Sequence, residues 1–393
     1  MSSTFALALL LTAPAAGLSA GQTGAVPEDL QDAVRVRPDD PEARRLLGLA
    51  YVRAGRVSEG TGQLEAAIGL APLEESLHLV LTDIYWMLGL TSEAEAVATR
   101  AVRMLPDSQR VRQTLADLYA NSGRLRLSLG EFARVSELDG PVAPEETFRK
   151  MGDAYSTLVE FDDAEAAYLK ALDVDPGHVA SRLGLGNVYL RSGRLSGALD
   201  QYEGILRAEP DNVTARLRLA EVHLRSGRLE ESVDAANEVL RIDPADRRAL
   251  YLRGTARVRL GRHDRGEADL EEFRRLETAA ADEEHRELEV MSFNREAVAM
   301  VRQGRYQEAI EALEQGIEVR PDAGSLYLNL GLIRSRAGDH RGAVGTFEAM
   351  LRLGFTDDPA IHRNLTREYE LLGDIDASRK HRSILLEQFG LSR

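Results

Sequence analysis

Residues that could perform chemistry are scattered along this sequence of 393 residues. No histidine belongs to a metal-binding spacing such as HExxH, and the single histidine that replaces a repeated tyrosine, His223, is interpreted as a packed side chain. The eight histidines are residues 78, 178, 223, 263, 285, 340, 362 and 381. Cysteine is absent, which excludes disulfides, thiolate metal ligands and a cysteine nucleophile. The sequence therefore predicts no metal site.

Glycine-rich and acidic stretches give no catalytic signal either. The stretch GLGNVY at 184–189 begins like a dinucleotide-binding loop, but it lacks the third glycine and follows no predicted strand. A phosphate-binding loop is also absent. Acidic clusters such as DLEEF at 269–273 are typical of solvated helix faces. We therefore expect no enzymatic activity and no cofactor.

The charge of the sequence bears on which classes of partner it could bind. The formal net charge is −15, with 64 acidic and 49 basic residues. This charge opposes a general attraction to nucleic acid or to anionic lipid, although it leaves room for local basic patches. We therefore expect no nucleic-acid partner.

The first 27 residues carry no charged side chain. An apolar run covers 5–11. Leu18-Ser19-Ala20 before Gly21 resembles the small-residue cleavage site of a signal peptide. The basic residue that usually precedes the apolar run is missing. We predict that 1–25 form a signal peptide or, failing that, a disordered or anchoring N-terminus. The mature chain would then be periplasmic or secreted, without a membrane span, and the alternative is a cytoplasmic protein.

A repeat of 34 residues organises the rest of the chain. The pentapeptide RSGRL occurs at 191–195 and again at 225–229. Its glycine recurs through most of the sequence, usually in steps of 34, with Val159 at one position where glycine is expected. These glycines are residues 55, 89, 123, 193, 227, 261, 304, 338 and 373. A period of this length is typical of solenoid architectures.

Each repeat predicts two short helices joined by a tight turn. In the unit that begins at Pro41, Leu47 and Tyr51 share one face of the first helix, and Gly55 lies at the turn. Pro72 ends the second helix because proline cannot continue a helix. Small residues recur where the paired helices must approach closely, as at Gly186 on a first helix.

The unit at 179–212 closely resembles the tetratricopeptide repeat. The residues that carry this resemblance are Leu185, Gly186, Tyr189, Gly193, Ala198, Tyr202 and Pro210. The resemblance implies an all-α fold, an α-solenoid of antiparallel helix pairs wound into a superhelix. Units begin at residues 41, 75, 109, 145, 179, 213, 247, 290, 324 and 359.

Irregularities in the repeat predict the domain organisation. Residues 26–40 read as a lone N-terminal helix, followed by seven units in 41–280. The unit at 247–280 departs from the pattern, with Arg253 and Arg257 where leucine and tyrosine belong. Residues 281–289 are a helical insertion that we expect to lengthen the next helix or to bridge into it. Three further units occupy 290–393 and end in a polar cap.

The resemblance also implies a binding groove lined by the first helices. Positions 5, 9, 12 and 13 of the units supply its candidate residues, which are Leu79, Trp86, Leu183, Asn187, Leu190, Arg191, Leu217, Glu221, Leu224, Arg225 and Tyr251. We expect four of these leucines to form one exposed apolar strip, and Leu190→Glu with Leu224→Glu to abolish partner capture at an almost unchanged thermal midpoint. One alternative is that neighbouring units bury the leucines. Another is that the arginines pair with helix dipoles.

The sequence therefore predicts a non-enzymatic scaffold that binds a partner protein or peptide in its concave groove. Resemblance to bacterial repeat proteins suggests a role in envelope assembly or secretion. Two alternatives stay open. The first is an auxiliary or regulatory subunit of an enzyme complex, such as a glycosyltransferase or polysaccharide-export system. The second is a cytoplasmic adaptor.

Overall fold

The structure is a computed structural model that describes residues 26–138, 140, 142–356 and 358–389. These residues form twenty α-helices and no strand, which confirms the predicted all-α fold. The predicted signal segment, 1–25, lies outside the described residues. Within the described residues, no helix is both long enough and apolar enough to span a bilayer.

The helices follow the predicted repeat. The lone helix and the first thirteen helices of the seven units after it are α1 (Glu28–Val36), α2 (Pro41–Arg53), α3 (Val57–Leu70), α4 (Glu75–Met87), α5 (Thr91–Met104), α6 (Gln109–Asn121), α7 (Leu125–Glu137), α8 (Pro144–Thr157), α9 (Phe161–Val174), α10 (Val179–Arg191), α11 (Leu195–Ala208), α12 (Val213–Arg225), α13 (Leu229–Ile242) and α14 (Arg247–Arg259). The others are α15 (His263–Arg302), α16 (Tyr306–Val319), α17 (Gly324–Arg336), α18 (His340–Arg352), α19 (Pro359–Leu372) and α20 (Ile375–Phe389).

The turn glycines end the first helices by adopting left-handed backbone angles. Gly193 has φ 80°, and it is followed by a hydrogen bond of 2.8 Å from the Arg194 N–H to the Tyr189 carbonyl. Gly227 repeats this arrangement with φ 77°. Such a turn satisfies carbonyls that the end of a helix leaves free, and glycine adopts it without steric cost.

Val159 occupies the same turn position with φ 64° and is the one non-glycine residue with positive φ in the described chain. A β-branched side chain is strained in this region, and Val159 is largely exposed, so little burial offsets the strain. We expect Val159→Gly to raise the free energy of unfolding by about 0.5–1 kcal/mol. The backbone strain that the substitution removes is larger than the stability lost through the greater conformational entropy of glycine in the unfolded chain. Urea titration followed by circular dichroism measures the change.

The reciprocal variant is the control. Gly193→Val places the same side chain in the same turn of the next unit, and it is expected to lower the free energy of unfolding by about 1–2 kcal/mol. A loss of stability in Val159→Gly would contradict the assignment of strain to Val159.

Small residues bring the paired helices together as predicted. A Cβ atom added to Gly186 would lie 2.6 Å from Cε1 of Tyr202, which is fully buried on α11. One added to Gly152 would lie 2.7 Å from the ring of Tyr168 on α9. These distances are too short for a side chain, so glycine is required for the observed packing.

The residues of the insertion, 281–289, lie inside α15, a single helix of 40 residues. The chain divides into two compact units, one ending at Phe273 and the other beginning at Arg274. In the first unit, α15 packs on α14, where the rings of Tyr251 and Phe273 are 5.4 Å apart. In the second, Ala297 belongs to the core formed with α16 and α17.

An ionic cluster replaces apolar packing in the irregular unit at 247–280. The Arg253 guanidinium donates to both oxygens of Asp269, at 2.7 and 3.0 Å, and to Asn237 Oδ1 at 3.0 Å. Arg257 donates to Asp269 Oδ2 at 2.7 Å. Asp269 is buried. The two arginines that break the repeat pattern are therefore paired with one buried carboxylate.

The polar residues of the last helix do not all face solvent. Arg379 and Lys380 are exposed on α20, whereas His381 is buried. The His381 Nδ1 lies 2.9 Å from Nδ1 of His362 on α19, so one ring donates and the other accepts. Burial lowers the pKa of both histidines, and the nearby His362 further lowers the pKa of His381.

Candidate functional site

A cleft of about 460 Å³ lies on the first helices of three successive pairs, α8, α10 and α12. We call it the polar cleft. Its lining residues are Asp153, Ser156, Thr157, Tyr168, Gly184, Asn187, Leu190, Arg191, Arg218, Glu221 and Arg225. Counted from the first residue of each unit, most of them stand at positions 6, 9, 12 and 13. The repeat therefore places equivalent positions of neighbouring units beside one another.

Two tyrosines from the second helices support the polar side chains of the cleft. The Tyr168 hydroxyl donates to Asp153 Oδ1 at 2.5 Å, and the Tyr202 hydroxyl donates to Asn187 Oδ1 at 2.9 Å. Burial raises the pKa of both tyrosines, so each hydroxyl keeps its proton. With Oδ1 of Asn187 engaged in this way, the Asn187 amide directs its two N–H donors elsewhere.

The carboxylates of the cleft already have cationic partners. Asp153 forms an ion pair with Arg149. Glu221 accepts a hydrogen bond from Arg218 at 3.1 Å and another from Arg248. These contacts neutralise both acids, so neither carboxylate is left to attract a cationic ligand.

Arginines at position 13 connect neighbouring units. Arg225 Nη1 donates to the Leu190 carbonyl at 2.8 Å, and Arg259 Nη1 donates to the Leu224 carbonyl at 2.9 Å. Arg191 Nη1 donates to both the carbonyl and the hydroxyl of Ser156 at 3.0 Å. Each guanidinium thus binds a carbonyl in the last turn of a helix, and each of these carbonyls also accepts an N–H from the turn that follows, as Leu190 does from Gly193 at 3.3 Å. These three arginines therefore contact the ends of first helices in the preceding units.

This role leaves charge available at the cleft. Arg191 and Arg225 are exposed, and no carboxylate among the described residues lies within ion-pair distance of either. Each has further N–H groups beyond the one that binds a carbonyl. Together with Asn187 they give the polar cleft a surplus of hydrogen-bond donors and of positive charge.

The structure brings five of the predicted groove residues into the polar cleft: Asn187, Leu190, Arg191, Glu221 and Arg225. The expected exposed strip of leucines is wrong. Leu190 is 3% exposed and packs against Tyr202, Ile205 and Val222, and Leu224 is 9% exposed. The neighbouring pair covers these side chains, so they belong to the core of the array.

The other predicted residues lie outside the cleft. Leu183 and Leu217 are half-buried, and Leu183 packs against the same core as Leu190. Leu79 is buried against Ala101 and Val111. Trp86 is half-buried beside Leu115 and Leu118, and Tyr251 remains exposed against Phe273.

Sequence reasoning missed the tyrosines of the second helices as site residues. Tyr168 and Tyr202 reach across their pairs to residues 15 positions earlier, Asp153 and Asn187. A usable signal was present, because both units combine a hydroxyl-bearing aromatic on the second helix with an acceptor at position 9. The unit at 109 has Phe132 instead, and there Asp117 accepts from Lys150 at 2.7 Å.

The side chains in the described parts of the chain include no group of three histidine, aspartate or glutamate residues placed to hold a metal ion.

Comparison with known proteins agrees with this architecture. The model of the tetratricopeptide repeat family matches residues 28–72, 50–109, 149–212, 187–247 and 294–358. No curated protein gives a significant match.

Several solved structures are similar to the chain at low sequence identity. The C-terminal part of a TPR repeat-containing protein from Cytophaga hutchinsonii is 14% identical, with 57% of this chain and 91% of that chain covered and a TM-score of 0.48. PilW, a type IV pilus biogenesis factor, is 18% identical over 53% of this chain and 96% of its own, with a TM-score of 0.44. YrrB, a TPR protein with an unusual peptide-binding site, is 16% identical over 49% and 97%, with a TM-score of 0.40. With family matches over more than half of its length and the helix pairs described above, the chain belongs to the tetratricopeptide repeat family.

Proposed function

We propose that the protein is a non-enzymatic scaffold and that the polar cleft binds an extended, acidic segment of a partner protein. The observation that carries the proposal is the surplus of donors at Asn187, Arg191 and Arg225 beside carboxylates that are already neutralised. Backbone carbonyls and acidic side chains of a peptide are the acceptors that such a surface lacks.

Asn187 is the sharpest place to test the cleft. Asn187→Asp keeps an acceptor for the Tyr202 hydroxyl, and the Tyr168–Asp153 pair shows that a carboxylate fits at this position of the repeat. The change replaces two N–H donors by a negative charge that repels an acidic peptide. We expect the fold to be kept and partner binding to weaken by roughly tenfold or more.

The measurement is affinity capture from the native host with the full chain, quantified by mass spectrometry, followed by titration of the captured partner. Asn121→Asp is the charge-matched control, since Asn121 is exposed at the end of α6 and does not line the cleft. Equal capture by Asn187→Asp and the unchanged protein would contradict the proposal, as would equal loss with Asn121→Asp.

We further propose an exported location and a role in envelope assembly or secretion. The uncharged, apolar start of the sequence supports export. The scaffold architecture is compatible with that role and needs no catalytic group.

A further inference from the structure

A second face of the chain uses the same repeat positions as the polar cleft. Positions 6, 9, 12 and 13 of the first helices line the cleft. In the units that begin at 290, 324 and 359, three of these positions carry a basic and apolar set. Its members are Arg295, Val298 and Arg302 on α15, Leu332 and Arg336 on α17, and Arg367 on α19. We call this set the C-terminal basic face.

Polar contacts hold the three helices of this face side by side. The Asn329 side-chain amide on α17 donates to Asn294 Oδ1 on α15 at 2.6 Å. The Ser335 hydroxyl, near the end of α17, donates to Glu368 Oε1 on α19 at 2.6 Å. Glu368 is buried and also accepts from His340 Nδ1 at 2.7 Å. Partly buried hydrogen bonds therefore connect the three helices of the face.

The four arginines of the face are exposed and unpaired. Across the described residues, none of Arg295, Arg302, Arg336 and Arg367 has a carboxylate within ion-pair distance or a hydrogen bond to a carbonyl. Arg336 stands at the position at which Arg225 binds the carbonyl of the preceding unit, so pairing with a helix end does not account for it. The acid at position 12 of the last unit, Glu370, is bonded to Arg382.

Apolar side chains lie among these arginines. Val298 is 44% exposed and Leu332 is 36% exposed, both at position 9 of their units. Met291, two turns before Val298 on α15, is 50% exposed. Burial of exposed apolar side chains favours binding of a partner to this face. The unpaired arginines favour a partner that carries negative charge.

We propose that the C-terminal basic face binds an acidic amphipathic segment of another protein. A partner with leucine-like side chains on one side would bury Val298, Leu332 and Met291. Carboxylates flanking that side would pair with the four arginines. The choice of an acidic occupant rests on charge complementarity, because positive charge is uncompensated here in a chain whose net charge is −15. This site lies apart from the polar cleft and does not depend on it.

The test uses the full chain and a fluorescein-labelled synthetic peptide of about twenty residues, long enough for several helical turns, with leucine and glutamate at helical spacing. Fluorescence anisotropy in physiological salt measures its affinity. Arg336→Glu with Arg367→Glu is expected to weaken binding roughly tenfold or more. Arg341→Glu with Lys380→Glu is the matched control, because it makes the same change in charge at exposed cations of the same block outside this face. It is expected to change affinity less than about twofold.

Further peptides and variants test the charge, the apolar contact and the independence of this face from the polar cleft. A peptide with lysine in place of glutamate is expected not to bind, and Val298→Asp is expected to weaken binding of the acidic peptide. Asn187→Asp is expected to have no effect, which separates this face from the cleft. Failure of the acidic peptide to bind would overturn the proposal, as would equal losses in the two charge-reversed proteins. Tighter, Arg336-dependent binding of phosphatidylglycerol vesicles or of a single-stranded DNA 20-mer would assign the face to a membrane or a nucleic acid instead.

Discussion

Leu190→Glu is expected to lower the free energy of unfolding by about 4 kcal/mol or more. Leu190 is buried between α10 and its neighbours and packs against Tyr202, Ile205 and Val222. The substitution removes this apolar contact and forces a carboxylate into the apolar core that contains Tyr202, Ile205 and Val222. Adding Leu224→Glu is expected to deepen the loss, since Leu224 occupies the equivalent position in the next unit.

Thermal and urea unfolding followed by circular dichroism measure this effect. Leu127→Glu is the control, because Leu127 is about half exposed on α7 and the chemical change is the same. It is expected to cost less than about 1 kcal/mol. If Leu190→Glu kept its thermal midpoint, the leucines would be surface residues and the exposed strip expected from sequence would be restored.

Asp269→Asn is expected to lower the free energy of unfolding by about 3–5 kcal/mol, the second large effect. Asp269 is buried and accepts bonds from both Arg253 and Arg257, whose side chains are each only 19% exposed. Removing the negative charge leaves two guanidinium groups without compensation in a poorly solvated site. Urea unfolding is again the measurement. Glu230→Gln, which breaks the exposed pair with Arg262, is expected to cost at most about 1 kcal/mol.

A triple variant separates pairing from packing in the same unit. Arg253→Leu, Arg257→Tyr and Asp269→Ala together restore the apolar pattern of the repeat. Because the cost of taking charges out of water is then removed along with their attraction, this protein is expected to be as stable as the original or more so. A large loss of stability in the triple variant would show that the ionic cluster stabilises the unit beyond what apolar packing can supply.

Much of the fold could be read from local signals. The turn glycines, such as Gly193, are needed where the backbone is left-handed, and Gly186 is needed where a tyrosine ring leaves no space for a Cβ atom. Both requirements act within one pair of helices, so they recur with the period of the sequence. At Val159 the turn forms without glycine, so the other residues of the repeat are sufficient to produce it.

The candidate site was only partly predictable. Asn187, Arg191, Glu221 and Arg225 were placed in the groove by their repeat positions, and they do line the cleft. Tyr168 and Arg218 were not selected, although they line it as well. Their roles depend on bonds between helices, such as the one from Tyr168 to Asp153, that helical periodicity does not encode.

The sequence by itself determined the repeat, the helix pairs and the turns, because these follow from interactions within about 34 residues. Tertiary structure alone decided which leucines are covered and which charges are paired. Helical spacing shows that Leu183 and Leu190 share a face, but the adjoining unit sets how much of that face stays in water, and it buries Leu190. In the same way, packing of α15 on α14 brings Asp269 to Arg253 and Arg257, whereas Arg336 and Arg367 meet no carboxylate among the described residues. Burial and pairing are properties of neighbouring surfaces, and those surfaces exist only once the helices have packed.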